Sequence, residues 1–350
     1  MTELTALPYA AWIEPMDERQ IIISSRLRLA RNLTARPFPN RLGDKQAAEL
    51  GKTILTALTA AAPEEGWQTL ALEELLAREQ GVLLEKHLLS PDILQHTPGR
   101  YLAVNRSQTC ALMINEEDHL RLQVILPGLQ TQAAWDKLSA LEDKLAERLD
   151  FAYDDKLGFL TACPSNLGTG LRASVMLHLP ALEMTDKLAG IFRQLPQAGF
   201  TVRGVYGEGS DSRGSLYQVS NQITLGFAET EIIARLNQLI EEIVAQEVQA
   251  RQWLLSNRSL WLKDQIGRAC GILSGAHLLS GKEAMSMLSL VRLGVAMKLC
   301  PNLDYRSLNL LMLSLQAPFL QTGAGRELSA AERDEERARL TRAALQPKAG

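Results

Sequence analysis

The chain has 350 residues, 22% charged and 46% hydrophobic, with 37 Lys and Arg against 40 Asp and Glu, for a formal charge of −3. That length exceeds the ~100–200 residues of one domain, so a large domain with an appendage, or two domains, is expected. The near-even charge balance offers no basis for binding nucleic acid, and no apolar run reaches the ~18 residues a membrane span needs.

From residue 21 to about 226, short runs rich in β-formers alternate with helical patterns. "IIISSRLRL", "GVLLEK", "YLAVNR", "CALMIN", "HLRLQVIL", "GFLTAC", "TVRGVYG" and "LYQVSNQITLG" read as strands. Those at 101–106, 110–115 and 119–126 follow one another with short turns, which favours an antiparallel meander over parallel winding. "TQAAWDKLSALEDKLAERLD" and "EMTDKLAGIFRQL" have helical periodicity and would cover one face of the sheet. From Ala228 the texture changes to a long amphipathic helix and then to Leu-, Met- and Ala-rich helical spacing. The expected class is α+β: an antiparallel sheet flanked by helices over residues 1–254, followed by an all-helical domain over 255–350. The N-terminus has no basic stretch followed by an apolar one, so the expected location is cytoplasmic. Cys110, Cys163, Cys270 and Cys300 are far apart and form no CxxC pair, and disulfides are not expected in that compartment.

Arginines stand on or beside the strands. Alternation in "SSRLRL" puts Arg26 and Arg28 on one face, where two guanidinium groups repel unless an anion joins them. Such a face either binds polyphosphate, which the Arg fork matches, or is a solvated face with cross-strand carboxylates. In "NEEDHLR", Glu116, Glu117 and Asp118 precede Arg121. They read either as a charged turn or as a carboxylate, Glu117, sharing a face with Arg121 and able to hold a cationic acceptor. "CPSNLGTGLRASV" reads as a Gly-Thr-Gly turn opening a helix, with Arg172 in its first turn, a setting that welcomes an anion. Cys163 before it is either a small hydrophobe or a thiolate favoured by its cationic surroundings. The glycine-rich stretch at 204–214, with Glu208 and Asp211, reads as a mobile lid or a plain hairpin connection. No Walker pattern is present.

"SSRLRLARNL", "NEEDHLR", "CPSNLGTGLRASV" and "RGVYGE", in this order and with His87 as a companion, resemble the ATP:guanido phosphotransferases, the family of creatine and arginine kinases. The resemblance implies phosphoryl transfer from ATP, with Mg²⁺ on the phosphates, to a guanidinium group. It implies a nucleotide site built from Ser24, Ser25, Arg26, Leu27, Arg28, His87, Arg121, Arg172, Ala173, Ser174, Val175, Met176, Arg203, Gly204, Val205, Tyr206 and Gly207. Glu117 and Glu208, with Asp211 as the alternative to the latter, would grip the guanidinium, and Cys163 would lie against it as a thiolate. Only 23 residues precede Ser24, and about 95 follow the shared core. That layout resembles the bacterial protein-arginine kinase branch, whose acceptor is an arginine on another protein. "RDEERA" at 333–338 is similar to that branch's phosphoarginine-binding motif, with Arg333, Asp334, Arg337 and Ala338 as its residues, and by itself reads equally as a charged surface helix. The branch further implies a homodimer or higher assembly, an activator of the McsA type and a Clp-type protease as partners.

Overall fold

Arg and Leu alternate through residues 26–29, and the chain there is part of a ten-residue strand. The computed structural model describes residues 3–6, 8–16, 19–205, 214–300 and 303–345. Its strands are β1 (Ile22–Arg31), β2 (Gln68–Ala71), β3 (Tyr101–Val104), β4 (Cys110–Ile114), β5 (Leu120–Pro127), β6 (Tyr153–Asp154), β7 (Gly158–Phe159), β8 (Leu171–His178), β9 (Phe200–Gly204) and β10 (Leu216–Asn221). Its helices are α1 (Glu3–Ala6), α2 (Asp44–Ala61), α3 (Ala77–Glu85), α4 (Thr131–Ala146), α5 (Pro180–Met184), α6 (Leu188–Gln194), α7 (Glu229–Asn257), α8 (Ser259–Gly275), α9 (Gly281–Ala296), α10 (Tyr305–Ser314), α11 (Ala317–Ala324) and α12 (Ala330–Leu345). By compactness the chain divides into residues 24–174 with 220–238, and residues 1–23, 175–219 and 239–350.

In the first unit the strands run β2-β3-β4-β5-β1, followed by the start of β8. β1 and β5 are antiparallel, with Arg28 opposite Gln123, Ala30 opposite Arg121, Leu27 opposite Val124 and Leu29 opposite Leu122. Opposed residues share a face, so Arg26, Arg28, Arg121 and Gln123 line one side and four apolar side chains the other. Leu27, Leu29, Leu122 and Val124 are fully buried, as are Ala134, Leu138 and Leu145 of α4, which packs on β5. Each buried Leu or Val there contributes about 1.5–3 kcal/mol. This layer is the floor that holds the arginine face flat and in register.

Two local readings are corrected. "GVLLEK" is the end of α3, not a strand: only Val82 in that helix is β-branched, and the Glu79 carboxylate caps its start by accepting from Leu76 N at 3.0 Å. Residues 171–178 are the strand β8, not a helix opened by the Gly-Thr-Gly turn. Gly168 and Gly170 take φ of +104° and +64°, which is not a helix entry. A Cβ on Gly170 would come within 2.7 Å of Ala30 O, so this glycine lets the chain run against β1. β8 is buried at every position but Arg172, the near-continuous burial of a strand covered on both faces. "GFLTAC" contributes only Gly158–Phe159, paired with β6 in a small ribbon.

The second unit holds the order β8-β10-β9 and most of the helices. Ser280 Oγ caps α9 by accepting from Glu283 N at 3.2 Å, and Asp304 caps α10 by accepting from Ser307 N at 2.8 Å. Each such cap is worth about 1 kcal/mol. The buried Arg292 donates to Asn309 Oδ1 at 3.0 Å and to Gln20 O at 2.9 Å, so its charge is spread over a satisfied polar network.

Candidate active site

Of the guanidinium groups of the first unit, Arg121 and Arg172 both lower the proton affinity of Arg26 and Arg28, and one carboxylate, Glu116, acts on Arg26, Arg28 and Arg121, holding Arg121 above its usual range despite burial. Burial first, then Arg121, pull Arg26 down to about 9. Burial and then Arg26 pull Arg28 well below the usual guanidinium range, and Arg28 Nε is buried without a hydrogen-bond partner among the described residues. A guanidinium does not give up its proton at neutral pH, so these depressed values express charge held out of water first and repulsion between neighbouring guanidiniums second. Four like charges outnumbering the carboxylates beside them, with a donor to spare, suit the binding of a polyanion.

Gln123 fixes the arginine positions. Its Oε1 accepts from Arg26 Nε at 2.7 Å and also from Arg26 Nη2, while its Nε2 donates to His87 O at 2.6 Å. His87 takes φ of +59°, and burial, Arg26 and Arg28 together drive its imidazole down to about 3, so it is neutral at physiological pH. Arg172 Nη2 donates to Ser220 Oγ at 3.2 Å, and Ser174 Oγ donates to Arg26 O at 3.1 Å. Ser25 Oγ donates to Gly128 O at 2.7 Å and accepts from Gln130 N at 3.0 Å, tying β1 to the start of α4.

Arg121 pairs with Glu116 rather than Glu117: its Nη1 lies 2.5 and 2.6 Å from the two Glu116 oxygens. Burial alone would raise Glu116, but Arg121 and the Ser90 hydroxyl, which donates to it, hold it below the carboxylate range. Glu117 is not on a strand face; it stands in the 116–119 turn, and Cys163 hydrogen-bonds to it. Burial and then Asp118 raise Glu117 above the ordinary carboxylate range. Cys163 Sγ is also 3.0 Å from Ser165 Oγ. The buried Asp118 accepts from Asn32 Nδ2 at 2.5 Å and from Ala162 N at 2.7 Å, so one carboxylate fastens the Glu117 turn to the segment that carries Cys163. A half-buried, proton-hungry carboxylate against a thiol can orient a cationic acceptor and take a proton from it.

The structure therefore brings Arg26, Arg28, His87, Arg121 and Arg172 together, and separately Glu117 with Cys163. Ser24 is buried in β1, and Leu27 belongs to the opposite, apolar face. Ala173, Ser174, Val175 and Met176 are buried in β8. Arg203 and Gly204 end β9 in the second unit, where Arg203 is exposed and Val205 follows. Tyr206, Gly207, Glu208 and Asp211 fall outside the described residues. Arg333 and Arg337 occupy one face of α12. Arg337 is buried, donates to Leu315 O at 2.9 Å and pairs with Asp334 at 2.5 Å, and Ala338 is buried beside it. Glu116, Gln123 and Ser220 were not picked out from the sequence. Gln123 carried a signal, since it lies two residues beyond Arg121 on the same strand face.

A sheet face that gathers guanidinium groups suited to a polyanion, in the same unit as an acid–thiol pair, is the equipment of a phosphotransferase. Residues 49–250 match the model of the ATP:guanido phosphotransferase C-terminal catalytic domain, and residues 259–349 that of the protein-arginine kinase McsB C-terminal domain. The chain is 46% identical over 328 residues to a protein-arginine kinase of Halothermothrix orenii, covering 94% of both chains. It is 44% identical over 350 residues to one from Symbiobacterium thermophilum, covering 98% of both. Among solved structures it is similar to the duplicated taurocyamine kinase of Schistosoma mansoni with bound transition state analog components. There the TM-score is 0.61 at 26% identity, over 76% of this chain and 39% of that one. It also shares the fold of a lombricine kinase, at TM-score 0.59 and 24% identity, over 71% of this chain and 72% of that one. The chain belongs to the ATP:guanido phosphotransferase family, in its protein-arginine kinase branch.

Proposed function

We propose that this chain transfers the γ-phosphoryl group of ATP to the guanidinium of arginine side chains in protein substrates. The observation that carries the reading is the gathering of Arg26, Arg28, Arg121 and Arg172 around the Glu116 carboxylate, which acts on the first three, with Glu117 and Cys163 hydrogen-bonded in the same unit. In phosphoryl transfer the protein supplies positioning and charge stabilisation. The four arginines hold the phosphates and meet the charge that develops on the transferring group. Glu117 orients the acceptor nitrogen and accepts its proton as the N–P bond forms, and Cys163 lies against the guanidinium as a thiolate. Glu208, or Asp211, would grip the acceptor. Mg²⁺, when bound with the nucleotide, would supply charge neutralisation on the phosphates. Among the described residues no group of three or more His, Cys, Asp or Glu could hold a metal ion.

The catalytic part would run to about residue 254, and the helical part from 255 would serve dimerisation and the sensing of phosphoarginine through Arg333, Asp334, Arg337 and Ala338. The name shared by the relatives supports a protein acceptor. The role that follows is marking proteins for a Clp-type protease in the cytoplasm, with a McsA-type activator. The test is incubation with Mg-ATP and either casein or free L-arginine, with acid-labile phosphate read by mass spectrometry at neutral pH. Phosphate on protein arginines alone is expected. Transfer to free arginine at a comparable rate would instead make the chain a phosphagen kinase, and transfer to neither, with activator present, would reduce it to a binding protein.

A further inference from the structure

Two thiols 30 residues apart in sequence meet beside the hairpin of α8 and α9: Cys270 Sγ and Cys300 Sγ are 3.9 Å apart. Both side chains are partly exposed, unlike Cys110, which is fully buried in β4. Their approach depends on a glycine. A Cβ at Gly294 would stand 2.7 Å from Cys300 Sγ and 2.8 Å from Ile266 Cγ2, so any larger residue there would push the segment after α9 away from α8.

The Cys300 thiol hydrogen-bonds to Cys270 and lowers it to about 7, while Cys300 itself is pushed up. One sulfur is thus a nucleophile at neutral pH and the other a protonated neighbour within reach, the division of labour between an attacking and a resolving thiol. Two cysteines serving only to fill space would be buried like Cys110.

We propose that Cys270 and Cys300 form a reversible redox modification site that closes an intramolecular disulfide when a peroxide reaches Cys270. The Cys270 thiolate attacks the peroxide, forming an S–O bond as the O–O bond breaks and hydroxide leaves. The Cys300 thiol then gives up its proton and attacks the sulfenic sulfur, forming the S–S bond and expelling hydroxide, which is protonated to water. Two thiols lose two electrons in all, one peroxide becomes two waters, and a low-molecular-weight dithiol reverses the change by exchange. In a reducing compartment such a bond is transient and regulatory rather than structural.

The bond would staple α8 to the segment beyond α9, and the turn of that hairpin is what grips α12. Leu279 N donates to Asp334 O at 3.0 Å, Arg342 donates to Ala276 O, and Gly281 faces the Arg337 guanidinium. Oxidation therefore stiffens the support of the "RDEERA" helix without touching the sheet that carries the arginine cluster.

The experiment uses the full folded chain with Cys163→Ala, which leaves Cys110 as the remaining thiol outside the pair. After exposure to hydrogen peroxide, alkylation and digestion, mass spectrometry is expected to find the Cys270 and Cys300 peptides joined within one chain. Dithiothreitol should part them, and amide exchange across 276–281 should slow in the oxidised form. With Cys300→Ser in place, a sulfenic acid should accumulate on Cys270 and be trapped by dimedone. The proposal is overturned if both thiols remain alkylatable after a peroxide dose that oxidises Cys163 in the unsubstituted chain, or if the link joins two chains. Should a substitution impair folding, the same mapping on the unsubstituted chain decides the matter.

Discussion

Replacing Glu116 by Gln removes the carboxylate that Arg121 grips at 2.5 and 2.6 Å while keeping its shape. Two unit charges ~4 Å apart attract by about 4 kcal/mol at an effective dielectric of ~20. Part of that is returned because the amide need not be stripped of a charge's hydration, leaving a net loss of about 2–3 kcal/mol. Arg26 and Arg28 also lose the attraction of that charge, so the variant should gain affinity for a polyanion. For an anion roughly 7 Å from the deleted charge at a dielectric of ~40 the gain is about 1 kcal/mol, or some fivefold to tenfold in Kd. The assay is urea denaturation with and without pyrophosphate, alongside calorimetric titration of pyrophosphate and measurement of kcat. The expected pattern is a lower urea midpoint, tighter pyrophosphate binding and a depressed kcat, because Arg121 is no longer pinned. An unchanged midpoint with equal or weaker pyrophosphate binding would refute the idea that one carboxylate balances the cluster.

Glu117 must be ionised to accept a proton, and burial raises it, so kcat/KM should fall on acidification with a limb above the ~4.3 of a free Glu. Glu117→Gln should abolish that limb along with most activity, and a limb that survives the substitution belongs to another group. Gly168→Ala places a Cβ 2.5 Å from Thr224 O at φ +104°, so it should cost upwards of about 2 kcal/mol and displace the loop that Thr224 Oγ1 ties down by donating to Ser165 O and Leu167 O. A urea midpoint within about 0.5 kcal/mol of the original would sink this. His87 stays neutral down to about pH 3 in the fold, whereas in the unfolded chain it protonates below about 6.5. Its contribution is therefore intact above pH 6.5 and is lost as pH falls toward 3, by up to ~1.4 kcal/mol per unit. His87→Asn should flatten that part of the acid denaturation curve, and an unchanged slope would place the proton uptake elsewhere.

The arginine face was legible because a strand's period of two is a property of its sequence: Arg26 and Arg28 could only point the same way. The partner of Arg121 was not legible. Three adjacent carboxylates precede it, and the choice among them is made by a turn in which Asn115 takes φ of +58° and donates through its N to His119 O at 3.1 Å. The Gly-Thr-Gly stretch misled for a related reason. Glycines at positive φ serve a close passage of two backbones as readily as a helix entry, and only the neighbouring strand says which. Nor does spacing reveal Cys270 and Cys300, since a helical hairpin and Gly294 bring them together.

The pairing of β1 with β5 has a consequence for how this chain can vary. A shift of β1 by one residue would turn Arg26 and Arg28 into the leucine layer and put Leu27 and Leu29 on the arginine face. Guanidinium groups driven among leucines would cost several kcal/mol each. The arginines proposed to hold the nucleotide are thus also the punctuation that aligns the strand, and an insertion or deletion inside β1 would forfeit the fold and the proposed site in a single event.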